Sequence, residues 1–423
     1  FVVDESTLER FLAPLDSAKA RNVTRKYQHV LRRELRQYAL LHQDHDYAPF
    51  EIAVGMRRSL QQDPRFEVVD STESAEVVVV ALWELGFCQV TGKPAEWELK
   101  MGLQGEYHSC PLLMQIQQNL IADPRFSRRG GVDYVFNSEV VHLKPHEREM
   151  EWVSWLGETE HKGHMPKEVY ENAVFLQVED CRTKEEKVRS TSILVPYYVP
   201  PARWSVPVDA LSKKTSLIGY AGSVMGLLRN MCARCTQEWD AKAVRRAMFD
   251  SFYAGCFGGT TYCIIVNFDE ATSGKEMARH DRDGLQKNLK WNIATVMQES
   301  IFCPSPRGDT ASTRRFFCAL QALCIPVLIS DEFDYAYPSQ FPWDDMIVRF
   351  PEGPVVRGEI NVFEELANIP QTEIEKKQRL IATHRENFLW AKDGTGLAMA
   401  HLHDEVVQLF GRLHDTTQRK RKT

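Results

Sequence analysis

The sequence lacks a long hydrophobic run and an excess of basic charge. Its clearest apolar run, Val77 to Trp83, is the length of a strand and far below the ~20 residues that a membrane-spanning helix requires. The formal net charge of −6 argues against a nucleic-acid partner, because such proteins need a basic surface. With 43% hydrophobic and 26% charged residues, the composition is that of a globular protein, and 423 residues suffice for two domains.

Motifs that would mark a metal or a dinucleotide site are also missing. Cys232 and Cys235 form a C-x-x-C, but a zinc site requires a second pair at similar spacing. The glycines within Ala254–Gly259 lack the spacing of a dinucleotide loop. The D-x-D triplets at Asp44–Asp46 and Asp281–Asp283 do not follow buried apolar strands, as a catalytic metal motif would require. We therefore expect neither a cofactor nor a metal.

Strands and helices alternate along the chain in two blocks, with a four-proline stretch, Pro196 to Pro207, between them. A helix over Cys110–Ala122 is expected to stop at Asp123-Pro124. The alternation predicts an α/β fold of two facing, Rossmann-like doubly wound domains. The predicted strands are Phe66–Val69, Glu76–Leu82, Val132–Phe136, Ala173–Val178, Ser192–Val199, Ser216–Ala221, Tyr262–Phe268, Ile301–Cys303, Ile325–Ser330 and Ile347–Phe350.

The proline-rich stretch sets the predicted division into domains. We expect one Rossmann-like domain over residues 1–200, a second over 201–392, and a C-terminal helix with a basic tail over 393–423. Ligands of doubly wound folds bind at the carboxyl ends of the strands. A cleft between the two blocks is therefore the expected site.

The segment Ser300 to Arg315, SIFCPSPRGDTASTRR, concentrates residues that can bind an anion. A short apolar strand leads into a Pro/Gly loop and then into a helix whose first turn holds Arg314 and Arg315. Cations there oppose the helix dipole, whereas the free N–H groups attract anions. A bound diphosphate would explain both arginines, and Gly308 would let the backbone approach it. Arginines that only point into solvent beside Asp309 are the alternative that the chemistry leaves open.

From Phe302 to Val327 the sequence resembles the signature of the exostosin-type glycosyltransferases. That signature reads F-C-x-x-P-R/x-G, then S-x-R-x-x-E/D-A-x-x-A-x-C-I/V-P-V, and the run aligns without a gap. Weaker resemblances are scattered over the rest of the chain, at Phe50-Glu51, Thr72–Ala81, Arg128–Tyr134, Lys214–Gly222, Pro338–Trp343 and Phe388–Trp390.

The resemblance implies an inverting glycosyltransferase of the GT-B type, which moves a sugar from a UDP-sugar donor to a glycan or glycoprotein acceptor. Arginines and a helix N-terminus would stabilise the departing diphosphate without a metal. The donor-binding residues that the resemblance implies are Gly222, Arg307, Gly308, Ser312, Thr313 and Arg315.

Inversion by direct displacement also requires a base that takes the acceptor's proton. We expect this base in the first domain, where Asp133 and Glu139 flank a predicted strand and His142 lies close by. A turn aspartate that caps backbone groups, a surface glutamate and a solvated histidine are the structural alternatives.

Two residues depart from the family pattern. Cys318 stands where the family has Glu or Asp, a carboxylate suited to the donor's ribose hydroxyls, and Tyr134 stands where His is usual. Cys318 leaves open an inactive or weakly active partner subunit with the same fold. A GT-A transferase, a dinucleotide-dependent oxidoreductase and a carbohydrate-binding module are further alternatives.

The resemblance also implies a location in the Golgi lumen. The full-length protein is expected to carry a type II membrane anchor outside residues 1–423, and an oligomer is left open. Asn22-Val23-Thr24 forms a glycosylation sequon, which agrees with a secretory protein.

Overall fold

The structure, a computed structural model, describes the chain in segments. These are residues 59–60, 62–67, 69, 73–81, 123–137, 145–146, 149–151, 164–165, 173–180, 192–197, 199, 204–222, 224, 241–258, 262–267, 293–308, 310–390 and 396–422. The chain divides into two units. Unit 1 comprises Phe1–Ile193 with Trp390–Thr423, and unit 2 comprises Leu194–Leu389.

Unit 1 is built on a four-stranded sheet with the order β1-β2-β6-β7. The first three of these strands pair in parallel, and β6 is buried along its whole length. A small antiparallel sheet, β3-β4-β5, lies in the same unit. The strands are β1 (Val78–Ala81), β2 (Tyr134–Asn137), β3 (Pro145–His146), β4 (Glu149–Glu151), β5 (His164–Met165), β6 (Val174–Gln177) and β7 (Ser192–Leu194).

Helix α1 (Pro124–Arg129) begins directly after Asp123 and was not predicted, whereas the predicted helix over Cys110–Ala122 lies outside the described residues. The Asp123 carboxylate accepts a hydrogen bond from the Arg125 N–H at 2.8 Å, and Pro124 occupies a first-turn position. Proline is tolerated there because its missing N–H has no intrahelical partner anyway. Gly130, with φ 59°, ends the helix in the left-handed conformation.

The predicted strand at Phe66–Val69 is wrong, since Phe66, Glu67 and Val69 lie outside any strand.

The C-terminal helix of unit 1 (Leu397–Lys422) packs against the segment around Asp63. The buried His403 ring lies 2.7 Å from the Asp63 carboxylate through Nδ1 and 3.4 Å from the Ser59 hydroxyl through Nε2. Phe66 meets the same ring edge-on at 5.1 Å between centroids. These contacts join residues up to 344 positions apart in the sequence.

Unit 2 is built on a five-stranded parallel sheet. Its strands are β8 (Ser216–Gly222), β9 (Cys263–Asn267), β10 (Ser300–Pro306), β11 (Ile325–Ile329) and β12 (Val348–Phe350). Its helices are α2 (Ala241–Gly258), α3 (Ile293–Glu299), α4 (Arg314–Gln321), α5 (Trp343–Met346), α6 (Glu352–Val356), α7 (Val362–Ala367) and α8 (Gln371–His384), with short 3₁₀ helices at Val208–Lys213 and Arg385–Phe388.

The order of this sheet is β12-β11-β10-β8-β9. Numbered by their order along the chain and read from the β9 edge, the five strands follow the order 2-1-3-4-5, which is a doubly wound order. The prediction of an α/β protein with two parallel sheets is therefore confirmed. Strand β10 runs three residues further than predicted, through Pro304 and Pro306, because it stays paired with β11 as far as Pro306 opposite Ile329.

Two disulfides and a lysine stabilise the centre of unit 2. Cys303 on β10 bonds to Cys324 immediately before β11, and Cys256 on α2 bonds to Cys263 on β9. The Lys214 ammonium lies within hydrogen-bond distance of four backbone carbonyls, among them Gln298 at 2.9 Å and Ser300 at 2.8 Å. Burial lowers the pKa of Lys214 to about 7. Within the described segments, no helix combines the length and the apolar character needed to cross a membrane.

Candidate functional site

The carboxyl ends of β8 and β10 lie side by side in unit 2. These two strands are neighbours in the sheet, yet the chain leaves β8 toward β9 on one side and β10 toward β11 on the other. Ligands of doubly wound sheets bind at such a topological switch point, outside the carboxyl ends of the strands. Gly222 ends β8, and the segment after Pro306 leads from β10 into helix α4.

Arg315 of helix α4 reaches back to the end of β8. Its guanidinium carbon lies 4.8 Å from the centroid of the Tyr220 ring. A Cβ placed on Gly222 would lie 2.7 Å from Nη2 of Arg315 and 2.9 Å from the Tyr220 hydroxyl. A side chain at position 222 would displace these groups, so the structure brings the predicted residues Gly222 and Arg315 together.

The positive charge of Arg315 is incompletely compensated. Its Nη1 atom is buried and has no hydrogen-bond partner among the described residues. Burial lowers the pKa of this guanidinium, Tyr220 raises it, and the nearby Arg245 lowers it. A desolvated cation of this kind gains free energy when an anion binds beside it.

The arginine loop, residues 307–313, connects β10 to α4. Both backbone groups of Arg307 are hydrogen-bonded. The N–H donates to Ile329 O at 3.0 Å, and the carbonyl oxygen accepts from Arg245 Nε at 3.0 Å. Nη2 of Arg245 also lies 3.5 Å from the position that a Cβ on Gly308 would occupy. The loop thus contains Arg307, contacts Arg245 of α2 and leads into the helix turn that holds Arg315.

The Arg307 side chain turns inward. It is 3% exposed and pairs with Glu352, itself 5% exposed, at 3.4 Å between Nη1 and Oε2. Glu352 Oε1 accepts the Asp331 N–H at 3.0 Å. Burial raises the pKa of Glu352, whereas the Asp331 N–H and the Arg307 guanidinium act in the opposite direction.

Ser312 and Thr313 lead directly into helix α4. Thr313 is extended, with φ −151°, and its side chain does not cap the helix. The Ser312 hydroxyl is 2.8 Å from the Tyr197 hydroxyl. The first N–H groups of a helix have no intrahelical acceptor, so the backbone here can receive an anion. Gly308 is less constrained than Gly222, since the nearest atom to an added Cβ is 3.5 Å away.

Cys318 lies one turn along α4 from the arginines and is buried. Spacing of three residues places its side chain on the same helix face as Arg315. The position that carries a carboxylate in the family signature thus holds a thiol, close to the partly buried guanidinium.

Asp133 has a different setting in unit 1. It precedes β2 and therefore lies at the amino end of that strand, opposite the edge where parallel sheets bind ligands. Its Oδ2 accepts from Arg125 Nε at 2.8 Å and is also in contact with Arg125 Nη2, and both side chains are about 5% exposed or less. Oδ1 is buried without a hydrogen-bond partner among the described residues. The ion pair favours a structural role, and the role of Asp133 as a base stays a prediction.

Several predicted features lie outside the described residues. They are Glu139, His142, the sequon at Asn22, the cysteine pair Cys232 and Cys235, and the triplets Asp44–Asp46 and Asp281–Asp283. Within the segments that the structure does describe, no group of three or more His, Cys, Asp or Glu residues is placed to hold a metal ion.

Sequence reasoning missed Arg245 and Glu352. Arg245 lies on helix α2, whose buried Val244, Met248 and Phe252 recur at intervals of four residues. That helical period was present in the sequence and could have located the helix. Glu352 carried no comparable signal, because it meets Arg307 only through tertiary folding, 45 residues away.

Residues 118–366, more than half of the chain, match the family model described as the exostosin GT47 domain. Among curated proteins, the chain is 29% identical over 149 residues to Exostosin-2 of Mus musculus, an alignment covering 35% of this chain and 20% of that protein. It is 30% identical over 105 residues to a probable xyloglucan galactosyltransferase of Arabidopsis thaliana, covering 24% and 22%.

A probable glucuronosyltransferase of Oryza sativa subsp. japonica is 36% identical over 121 residues, covering 26% of this chain and 27% of that protein. The matched part is thus about a quarter or less of the length of these relatives. Among solved structures, a chain of the GtfA/B complex superposes with a TM-score of 0.34 at 10% identity, covering 67% of this chain and 53% of that chain. That score is too low to indicate a shared fold.

Proposed function

The chain belongs to the exostosin GT47 family of glycosyltransferases, and we propose that it transfers a sugar from a UDP-sugar donor to a glycan or glycoprotein acceptor, with inversion at the anomeric carbon. The donor's diphosphate would bind at the carboxyl ends of β8 and β10. Charged protein groups would then stabilise the departing UDP.

The surroundings of Arg315 carry this proposal. The Arg315 guanidinium, whose buried Nη1 has no hydrogen-bond partner in the part of the chain that the structure describes, lies at the topological switch point beside the N-terminus of α4 and against Gly222. A diphosphate offers the oxygens that such a fork can bind in two-pronged fashion. The N–H groups near Ser312 and Thr313 would bind further oxygens, Gly308 would allow close approach, and Arg245 would add positive charge from α2.

The two units would have different ligands. Unit 2 would bind the donor and unit 1 the acceptor, the division that the GT-B type implies. The base that receives the acceptor's proton would come from unit 1. Asp133 and Glu139 are the candidates from the sequence, and the Arg125 ion pair weighs against Asp133.

We also propose that the protein acts in the Golgi lumen. The disulfides Cys303–Cys324 and Cys256–Cys263 are consistent with the secretory pathway, because disulfides persist in oxidising compartments. Modification of Asn22 in protein from secreting cells would support this location, and an unmodified Asn22 in a cytosolic protein would contradict it.

Cys318 supports a second candidate function, that of a partner subunit with little activity of its own. A thiol cannot accept two ribose hydroxyls as a carboxylate does. Such a subunit would bind UDP weakly or not at all and would act only by assembling with an active transferase.

Incubation with a panel of UDP-sugars, followed by detection of released UDP, separates the two candidates. We expect the parent protein to hydrolyse one donor slowly, and Arg315→Ala to lose that hydrolysis while remaining folded. Arg314→Ala is the matched control, since its side chain lies about 100° away around the helix. Absence of hydrolysis and of UDP binding in the folded parent would favour the partner subunit.

A further inference from the structure

Glu352 occupies a place behind the arginine loop that the proposed reaction does not use directly. It begins helix α6, whereas the loop follows β10, and the sheet strand between them is β11. Its carboxylate is nevertheless inserted toward the loop and is only 5% exposed. Burying a carboxylate is costly unless it is paired with a cation and hydrogen-bonded.

The contacts of Glu352 form a closed set with Asp331. Glu352 Oε1 accepts the Asp331 N–H at 3.0 Å, and the Glu352 N–H donates to the Asp331 carboxylate at 3.2 and 3.3 Å. The second oxygen, Oε2, is the one that faces Arg307. Glu352 is therefore fixed in orientation before it meets the guanidinium.

The same end of β11 holds the loop at two more points. Arg307 N–H donates to Ile329 O at 3.0 Å, and Ser330 Oγ donates to Ala311 O at 2.8 Å. The start and the middle of the arginine loop are thus both hydrogen-bonded to the end of β11 and the residue after it. Glu352 adds a third link, because it contacts both Asp331 and the Arg307 side chain.

We propose that Glu352 is a positioning residue of the donor site: by holding the inward-facing Arg307, it sets the arginine loop at the distance from helix α4 that the diphosphate requires. Arg307 then holds the loop through its contact with Glu352 and does not touch the diphosphate. Arg315 and the backbone N–H groups contact the anion. This inference rests on the proposed function for its ligand, but its claim about the loop does not.

The direction in which one substitution changes UDP affinity distinguishes this positioning role from a purely electrostatic effect. Glu352→Gln removes a negative charge near an anion site, so Coulomb interaction alone predicts UDP binding that is unchanged or tighter. Loss of loop position predicts binding weaker by about tenfold, since a charge-assisted contact is lost when its geometry fails. Calorimetric titration of UDP measures the difference. Glu359→Gln, which removes an exposed carboxylate paired with Arg357, is the matched control.

A double variant tests the pair itself. Arg307→Met with Glu352→Met removes both charges and leaves neither buried alone, so we expect it to bind UDP no more weakly than Glu352→Gln. Binding at least about tenfold weaker than Glu352→Gln would mean that Arg307 is itself a diphosphate ligand, and would overturn the inference.

Amide hydrogen exchange tests the loop without a ligand. In Glu352→Gln we expect peptides covering residues 307–313 to exchange about tenfold faster than in the parent, with β8 unchanged. Unchanged loop exchange would overturn the inference whether or not UDP binds, whereas a folded parent that fails to bind UDP would overturn only the proposed function. Should Glu352→Gln fold poorly, Ser330→Ala removes the neighbouring attachment without changing charge and is expected to show the same faster exchange.

Discussion

Arg125 in unit 1 and Arg315 in unit 2 are arginines in opposite electrostatic surroundings. Arg125 forms a buried ion pair with Asp133, and Nη1 of Arg129 lies 3.4 Å from the same carboxylate oxygen. Arg315 lies over Tyr220 with a buried Nη1 that has no partner in the described part of the chain. A carboxylate matches the charge of the first arginine, whereas the second has no such partner among the described residues.

Position in the sheet agrees with this contrast. Asp133 lies at the amino end of β2, whereas Arg315 lies beside the carboxyl end of β8. Ligands of parallel sheets bind at the carboxyl edge. We therefore expect the paired arginine at the one edge to stabilise the fold, and the arginine without a carboxylate partner among the described residues to supply binding energy for an anion at the other.

The largest expected effect is the loss of stability when the closed pair is broken. Asp133→Ala leaves the Arg125 guanidinium buried without its carboxylate, which should lower the free energy of unfolding by about 3–5 kcal/mol. Chemical denaturation followed by circular dichroism measures it. Arg125→Met combined with Asp133→Leu should recover most of the loss. A stable Asp133→Ala protein that has lost transfer activity would instead assign Asp133 to catalysis.

A smaller effect of the opposite kind is expected at Arg315. Arg315→Met removes a partly buried cation and its ring contact, so the free energy of unfolding should change by no more than about 1 kcal/mol, or rise. The same denaturation experiment compares it with Arg125→Met, which should be clearly destabilised. Equal destabilisation of both variants would remove the contrast between the two arginines.

The smallest effect is expected from chelation. If arginines and a helix N-terminus meet the diphosphate's charge, UDP affinity measured with EDTA should lie within about twofold of that measured with Mn²⁺. Binding that requires the divalent cation would mean that a metal shares the neutralisation, and that the charge of Arg315 is less important than its position suggests.

The strands of unit 2 could be predicted because their apolar runs are continuous, as parallel strands buried on both faces require. Val327 to Ile329 and Ile218 to Ala221 are examples. Proline gave no reliable signal of where an element begins or ends. Pro304 continues a strand, and Pro124 begins a helix. A proline in the sequence fixes its own φ, but it does not show whether a helix or strand ends before it, continues through it or begins at it.

The candidate site could be predicted in part. Gly222 and Arg315 were both expected to bind the donor, but their contact depends on the pairing of β8 with β10 and not on a local pattern. The Arg307–Glu352 pair and the Cys303–Cys324 disulfide were likewise hidden, because each joins segments that become neighbours only when the parallel sheet forms.

The central claim is that Arg315 is left uncompensated for a diphosphate, and calorimetric titration of UDP tests it most directly. Arg315→Ala should lower UDP affinity by about ten- to a hundredfold, the equivalent of a charge-assisted contact of about 1.5–3 kcal/mol. Arg315→Lys should recover only part, because an ammonium cannot replace the guanidinium fork, and Arg314→Ala should bind nearly as the parent does. Unchanged UDP affinity in folded Arg315→Ala would contradict the account and place the donor elsewhere.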